Sequence, residues 1–315
     1  MVVPRVLFSR AAVRHYASLP IRESTSVALL HWRVNMPTDT NVARSVRQQP
    51  RQGRAYFECR YGQLHVHNTM PPGGGFDEAT PLLCLHQSPA SGRVFQQFTR
   101  LMGETRSVYC PDTPGFGESD APRELPSIAD YAAAIGDFLD TMRLRQVDIL
   151  GYHTGTAIAT ELALARPNVV RRLVLVAVPA LTTAAREAFK QSPWPVPPKE
   201  DGSHLATEWQ RSVQWRGPGV TLELLAQSFA EKLYNGEAAW WGANAVMNWP
   251  ADERLPLIKQ PTLVLRPKDD LWDATARAQQ LLRGARCVDL PDYGHGLFEV
   301  APEVVATEVA TFLSG

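Results

Sequence analysis

Three polar residues that could perform acid, base or nucleophilic chemistry lie beside apolar, strand-like runs of the 315-residue sequence. His153 stands between two glycines in DILGYHTGTA, a pattern typical of a buried strand, a sharp turn and a helix of small residues. Asp270 follows the run PTLVLRP, and His295 precedes the last helical segment. Imidazole titrates near neutral pH and a carboxylate can orient it, so these residue types indicate nucleophilic attack or proton transfer.

Four motifs follow one another along residues 55 to 315. They are LCLHQSPAS, PDTPGFGESD, GYHTG, and the pair LRPKDDLWD with LPDYGHGLFE. In type, spacing and order they resemble the motifs of the α/β-hydrolase fold family, in the branch with a helical cap after the sixth strand. The resemblance implies a mostly parallel sheet flanked by helices.

The resemblance also implies which residues are catalytic. His153 stands where the family has the serine of its GxSxG nucleophile elbow. Asp270 falls on the position of the family's acid, with Asp269 as the second choice. His295 falls on the position of the base.

The first two motifs predict loops that border the same site. The resemblance implies that the backbone N–H groups of Gln87 and Thr154 form an oxyanion hole, although the family usually has glycine where Gln87 stands. In PDTPGFGESD, we expect Asp112, Ser119 and Asp120 to hydrogen-bond the loop and to have no catalytic role.

A histidine at the elbow leaves three hypotheses open. In the first, His153 is the nucleophile, because neutral imidazole already offers a lone pair, and His295 activates the hydrolytic water. In the second, the two histidines form an acid/base pair without a covalent intermediate, as in a lyase or a cofactor-free oxygenase of this fold. In the third, the chain is an inactive binding module. We favour a hydrolase for an ester-like or related carbonyl substrate with an apolar acyl group, in which His153 takes part directly.

The elements that must position these residues follow from the apolar pattern. Strands alternate with helices from about residue 55, and this rhythm indicates a parallel sheet with helices on both faces. It breaks in a tryptophan-rich segment and then resumes. We therefore predict an α/β-hydrolase core at 53–180 and 256–315, with a helical cap at 181–255. The candidate substrate-binding residues are His86, Tyr152, Trp194, Trp240 and Trp241.

Composition indicates the class of partner. Lys plus Arg and Asp plus Glu number 32 each, so no overall electrostatic field favours nucleic acid or anionic lipid, and we expect a small-molecule substrate.

The sequence also bears on membrane spans, thiols and bound groups. No run approaches the roughly 20 apolar residues of a membrane span. Four dispersed cysteines predict free thiols. We expect no cofactor. His153, His295 and Asp270 are residue types that bind metals, but we also expect no metal, because in the family geometry the acid lies behind the base histidine and would orient a ligand instead of joining it. The oligomeric state stays open.

The first 52 residues are predicted to form an extension outside the fold. Residues 1–35 contain five arginines and a single acid, Glu23, as in an organelle transit peptide. We slightly favour a different explanation, in which translation begins at Met36. We expect a soluble protein, which is cytoplasmic on that explanation and targeted to an organelle on the first.

Overall fold

A single mixed sheet runs through the part of the chain that the computed structural model describes, residues 49–74, 79–191 and 196–315. Its strand order is β1-β2-β4-β3-β5-β6-β7-β8. The strands are β1 (Arg51–Cys59), β2 (Gly62–Met70), β3 (Leu82–Leu85), β4 (Val108–Pro111), β5 (Val147–Tyr152), β6 (Val170–Val176), β7 (Thr262–Pro267) and β8 (Arg286–Leu290). The pairs β1–β2 and β2–β4 are antiparallel, and the others are parallel. The predicted sheet is therefore confirmed.

Helices join the strands and cover both faces of the sheet. They are α1 (Gln96–Met102), α2 (Ile128–Thr141), α3 (Thr154–Ala165), α4 (Thr183–Lys190), α5 (Ser203–Gln214), α6 (Leu222–Tyr234), α7 (Trp241–Met247), α8 (Ala251–Arg254), α9 (Trp272–Leu281), α10 (Leu297–Val300) and α11 (Pro302–Ser314). Short 3₁₀ turns occupy Gly92–Phe95, Gly236–Trp240 and Leu255–Leu257. Helices α4 to α8 all lie between β6 and β7, so one inserted segment interrupts the alternation.

Two apolar clusters show why the central strands read as continuous apolar runs. One packs Phe138 of α2 and Ile158 of α3 on one face of the sheet, and the other packs Phe98 of α1 and Val305 of α11 on the opposite face. Every residue of β3 and β5 is buried, since both faces of these strands are covered.

Several sequence-based expectations can be compared with the fold. The boundary of the extension at residue 52 is wrong by two residues, because Arg51 and Gln52 already pair with Met70 and Thr69 in the β1–β2 ladder. Residues 1–48, including Met36, lie outside the described residues, as does Trp194. The four cysteines are free, as predicted. Within the described ranges, no helix has both the length and the apolar character needed to cross a bilayer.

The start of α2 offers a test of local stability. The Ser127 hydroxyl accepts from the Asp130 N–H at 3.2 Å, and the Asp130 carboxylate accepts from the Ser127 N–H at 2.9 Å, which completes a capping box. We expect Ser127→Ala to lower the free energy of unfolding by about 1 kcal/mol in urea denaturation. As a matched control, Ser314→Ala at the end of α11 removes only an exposed bond to the Ala310 carbonyl and is expected to change little. Equal midpoints for the two variants would contradict the prediction.

Candidate active site

The site is built around a strained turn between β5 and α3. His153 is the single residue between them. Its backbone angles are φ 49° and ψ −116°, a conformation that residues other than glycine rarely adopt. A Cβ atom at Gly151 would overlap the carbonyl of Gly155, and one at Gly155 would overlap the carbonyl of Leu85. The two glycines thus allow the close backbone approach that turns the His153 side chain out of the sheet.

Two histidine–aspartate pairs meet at this turn. His153 Nε2 donates to Asp269 Oδ2 at 2.9 Å, and His295 Nε2 lies 2.9 Å from Asp270 Oδ1 in a second pair. Both aspartates belong to the loop after β7, and His295 belongs to the loop after β8. The two imidazole rings lie 5.2 Å apart between centroids, with planes inclined by 39°. Adjacent residues of one loop therefore each hold a different histidine.

The electrostatics of the pairs follow from this geometry. Burial alone would lower the pKa of His153, but the charge of Asp269 and its hydrogen bond together raise that pKa above its usual value. Burial acts in the opposite direction on Asp270, yet the hydrogen bond from His295 and the nearby His153 lower the pKa of Asp270 to about 2. Asp270 therefore remains a carboxylate at physiological pH.

Gln87 and Thr154, whose N–H groups are the predicted oxyanion donors, belong to loops or helix ends at the same cavity as His153. Thr154 is the first residue of α3, so its N–H has no carbonyl partner within the helix.

His86 does not lie in the site, so its prediction as a substrate-binding residue is wrong. Its side chain is buried, and its Nε2 accepts from the Thr113 N–H at 2.9 Å while its Nδ1 donates to the Gln87 carbonyl. The ring therefore ties two loops together inside the core.

The PDTPGFGESD loop is held by its own polar side chains, as expected. The Asp112 carboxylate accepts from the N–H groups of Gly92 and Glu118 and from His65 Nδ1. The Ser119 hydroxyl donates to the Asp112 carbonyl, and Asp120 accepts from the Gln63 N–H.

A cavity of about 1210 Å³ opens above the two pairs, between the sheet and the inserted helices. Tyr152 lines it, and its ring stands edge-on to the His153 ring at 4.7 Å between centroids. Trp240 and Trp241 are not among the described residues that line it, so their prediction as substrate-binding residues is wrong for this cavity. The Trp241 ring instead faces Gly115. Among the described residues of the insertion, the aromatic side chains that line the cavity are Phe189, Trp215, Phe229 and Tyr234.

The insertion also touches the loop of His295. The Trp215 ring lies 6.2 Å from the His295 ring in an edge-on arrangement. A Cβ atom at Gly217 would overlap the backbone carbonyl of His295, so the two chain segments are in direct contact there.

The sequence reasoning missed two features of the site. The first is the pairing of Asp269 with His153, for which the consecutive acids in LRPKDDLWD were the available signal. The second is Glu299 on α10. Its side chain lines the cavity, and burial raises the pKa of its carboxyl group to about 7. No sequence pattern distinguishes Glu299 from an ordinary helix-surface residue.

This architecture matches a known family. A family model described as "alpha/beta hydrolase fold" matches residues 80–302. The chain belongs to the alpha/beta hydrolase fold family.

Proteins with several different names are similar to this chain in sequence or in fold. A poly(3-hydroxyalkanoate) depolymerase of Ectopseudomonas oleovorans is 28% identical over 215 residues, which cover 62% of this chain and 70% of the relative. An uncharacterized protein of Mycobacterium tuberculosis is 33% identical over 115 residues, and the aligned part spans 34% of its length. Among solved structures, the enol-lactonase from Burkholderia xenovorans LB400 superposes with a TM-score of 0.69 at 16% identity, over 83% of this chain and all of that one. That last likeness concerns the fold alone.

Proposed function

We propose that this protein hydrolyses ester-like or related carbonyl substrates with an apolar acyl group, and that water attacks the carbonyl directly. The observation that carries the proposal is the pairing of each histidine with its own carboxylate, His295 with Asp270 and His153 with Asp269. Hydrolases that use a serine need one such pair to deprotonate the hydroxyl. A second pair at the serine position replaces the nucleophile with another acid/base group.

The His153 side chain is poorly disposed to form a covalent intermediate. Its Nε2, the ring nitrogen farther from the backbone, is already bonded to Asp269. Attack through this atom would break that bond. Attack through Nδ1 would need the carbonyl carbon at covalent distance from the ring nitrogen nearer the backbone, whereas a proton can pass from Nδ1 to the leaving oxygen across a hydrogen bond. Since a misplacement of about 1 Å can cost on the order of 100-fold in rate, this geometry favours proton transfer over covalent attack.

In the proposed reaction, His295 accepts a proton from water as the water oxygen bonds to the carbonyl carbon. The N–H groups of Gln87 and Thr154 donate to the oxyanion that forms. The bond to the leaving oxygen then breaks, and His153 supplies that oxygen with a proton. The products are an acid and an alcohol, and a proton passing through solvent from His295 to His153 restores the starting state.

The segment inserted between β6 and β7 supplies the acyl-binding surface in this proposal. The cavity above the pairs has a mixed lining, in which the insertion supplies charged side chains as well as an apolar set that comprises Leu181, Phe189, Val220, Leu224, Phe229 and Met247. This apolar set favours an apolar acyl group, because its burial removes hydrocarbon surface from water.

A panel of p-nitrophenyl esters of increasing acyl length tests the proposal with the wild type, His153→Ala and His153→Ser. We expect turnover by the wild type and a loss of about 100-fold in His153→Ala, since one of two proton-transfer groups is removed. Rapid-quench mass spectrometry should find no acyl group on the wild-type protein. An acyl adduct on His153 would instead establish the nucleophile hypothesis. An inactive wild type together with an active His153→Ser would contradict the proposal.

A further inference from the structure

We propose that His153, Asp269, Asp270 and His295 form a binding site for one divalent transition-metal ion. This proposal replaces the expectation, stated above, that the site holds no metal. It concerns the same four side chains as the proposed function, but it is tested by binding, so the two proposals can fail separately.

The first argument is geometric. One ligand atom from each of the four residues lies within 4.8 Å of the other three. Ligands bound at about 2.1 Å stand about 3.0 Å apart when adjacent at right angles, and about 4.2 Å apart when opposite. The two histidine–aspartate contacts of 2.9 Å fit adjacent ligands. Small side-chain rotations that move the ligand atoms by a few tenths of an ångström each would bring the widest separation to the distance expected for opposite ligands.

The second argument is charge. The two carboxylates together carry two negative charges, and the side chain of Asp269 is completely shielded from solvent. One divalent cation between them would balance both charges at once, in place of the proton shared by His153 and Asp269. Relative to a serine triad, this site has gained one imidazole and one carboxylate, and both of these changes add a metal ligand.

The third argument concerns the contacts of the two aspartates that a bound ion would displace. Asp269 Oδ1 accepts from the Leu271 N–H at 2.9 Å, which orients the carboxylate and leaves Oδ2 facing the histidines. Within the described residues, the hydrogen bonds on Asp269 Oδ2 and Asp270 Oδ1 come from the two histidines. An ion among the four groups replaces these protons and disrupts no other bond of the fold.

The second histidine–aspartate cluster in the protein provides a contrast. His65, His67 and Asp112 are also close enough to share an ion. However, Asp112 already accepts from two backbone N–H groups as well as from His65, so an ion there would have to displace bonds that hold a loop. That cluster is explained by the fold and serves as an internal control.

The ligand set defines the class of ion. Two imidazoles and two carboxylates suit Zn²⁺, Mn²⁺, Fe²⁺ or Co²⁺, whereas Mg²⁺ and Ca²⁺ prefer oxygen ligands alone. The side chains of His295 and Asp270 are 34% and 41% exposed, so an ion can enter from the cavity. The same opening leaves room for a water molecule or a substrate oxygen on the ion.

Isothermal titration calorimetry of chelator-treated, full-length protein with Zn²⁺ tests the site, and Co²⁺ absorption reports the coordination. We expect one equivalent to bind the wild type and His67→Gln alike, and at least about 100-fold weaker binding in His153→Gln and Asp269→Asn. Mg²⁺ should not compete. His295→Gln and Asp270→Asn, at the more exposed pair, repeat the test if a buried variant fails to fold by circular dichroism.

Two results would overturn the inference: the absence of stoichiometric Zn²⁺ binding to the wild type, or binding that only His67→Gln weakens. Ester hydrolysis measured on the same metal-free wild type separates the two proposals. Turnover without Zn²⁺ binding overturns the metal site alone, and Zn²⁺ binding without metal-free turnover overturns the metal-free mechanism alone.

Discussion

Gly155→Ala is expected to lower the free energy of unfolding by about 3 kcal/mol, although alanine is intrinsically the better helix former. Gly155 is the second residue of α3, and its φ is not in the left-handed region, so backbone conformation does not require glycine there. The cost is steric. The added Cβ would overlap the Leu85 carbonyl and stand 3.0 Å from the His86 carbonyl, and neither backbone group can move without shifting the end of β3.

A second glycine-to-alanine change, also within a helix, provides the matched control. In α2, a Cβ at Gly136 would meet the Arg166 guanidinium at 3.4 Å, which is an ordinary contact with the flexible end of a side chain. Gly136→Ala should therefore stabilise the protein by up to about 1 kcal/mol through helix propensity. Chemical denaturation of both variants measures the difference. Two changes of the same sign would contradict the steric explanation.

Asp270→Asn is expected to reduce kcat/KM by about 10³- to 10⁴-fold on the best ester of the panel. The base His295 loses the carboxylate that orients it and stabilises its protonated form. Asp269→Asn should cost about 100-fold, because its partner His153 assists only the departure of the leaving group in the proposed reaction. The larger effect is thus expected from the more exposed of the two aspartates, contrary to what burial alone would suggest.

Asp289→Asn is the control for this pair of variants. Asp289 is an aspartate of β8 that pairs with Arg266, and it does not line the cavity, so its loss should leave kcat/KM unchanged. Thermal melts establish that each variant is folded. Equal losses in Asp269→Asn and Asp270→Asn, or a larger loss in Asp269→Asn, would contradict the assignment of the base to His295.

Features set by local pattern were predictable from the sequence. The apolar runs that form β3, β5 and β7 are continuous because both faces of these strands are covered. An unbroken run of apolar residues in the sequence therefore indicates a strand buried on both faces. The glycines on either side of His153 likewise predicted a sharp turn, and the structure shows close backbone contacts at both of them.

Features set by orientation were not predictable. Whether Asp269 or Asp270 reaches a given histidine depends on the course of one loop, in which the Leu271 N–H turns Asp269 toward His153. His86 adjoins an expected oxyanion residue in sequence, yet its bond with Thr113 turns its ring into the core. For the insertion, tryptophan content predicted aromatic packing, but which ring faces the cavity depends on how each helix is rotated.

The contact between Gly217 and the backbone of His295 has a consequence for protein engineering. Because the insertion and the loop of the base histidine share this contact, the segment between β6 and β7 is not an interchangeable module. A chimera that receives this segment from a relative needs a glycine at the equivalent of Gly217. With any larger residue there, a graft chosen for a new acyl preference would displace the proton acceptor along with the specificity surface.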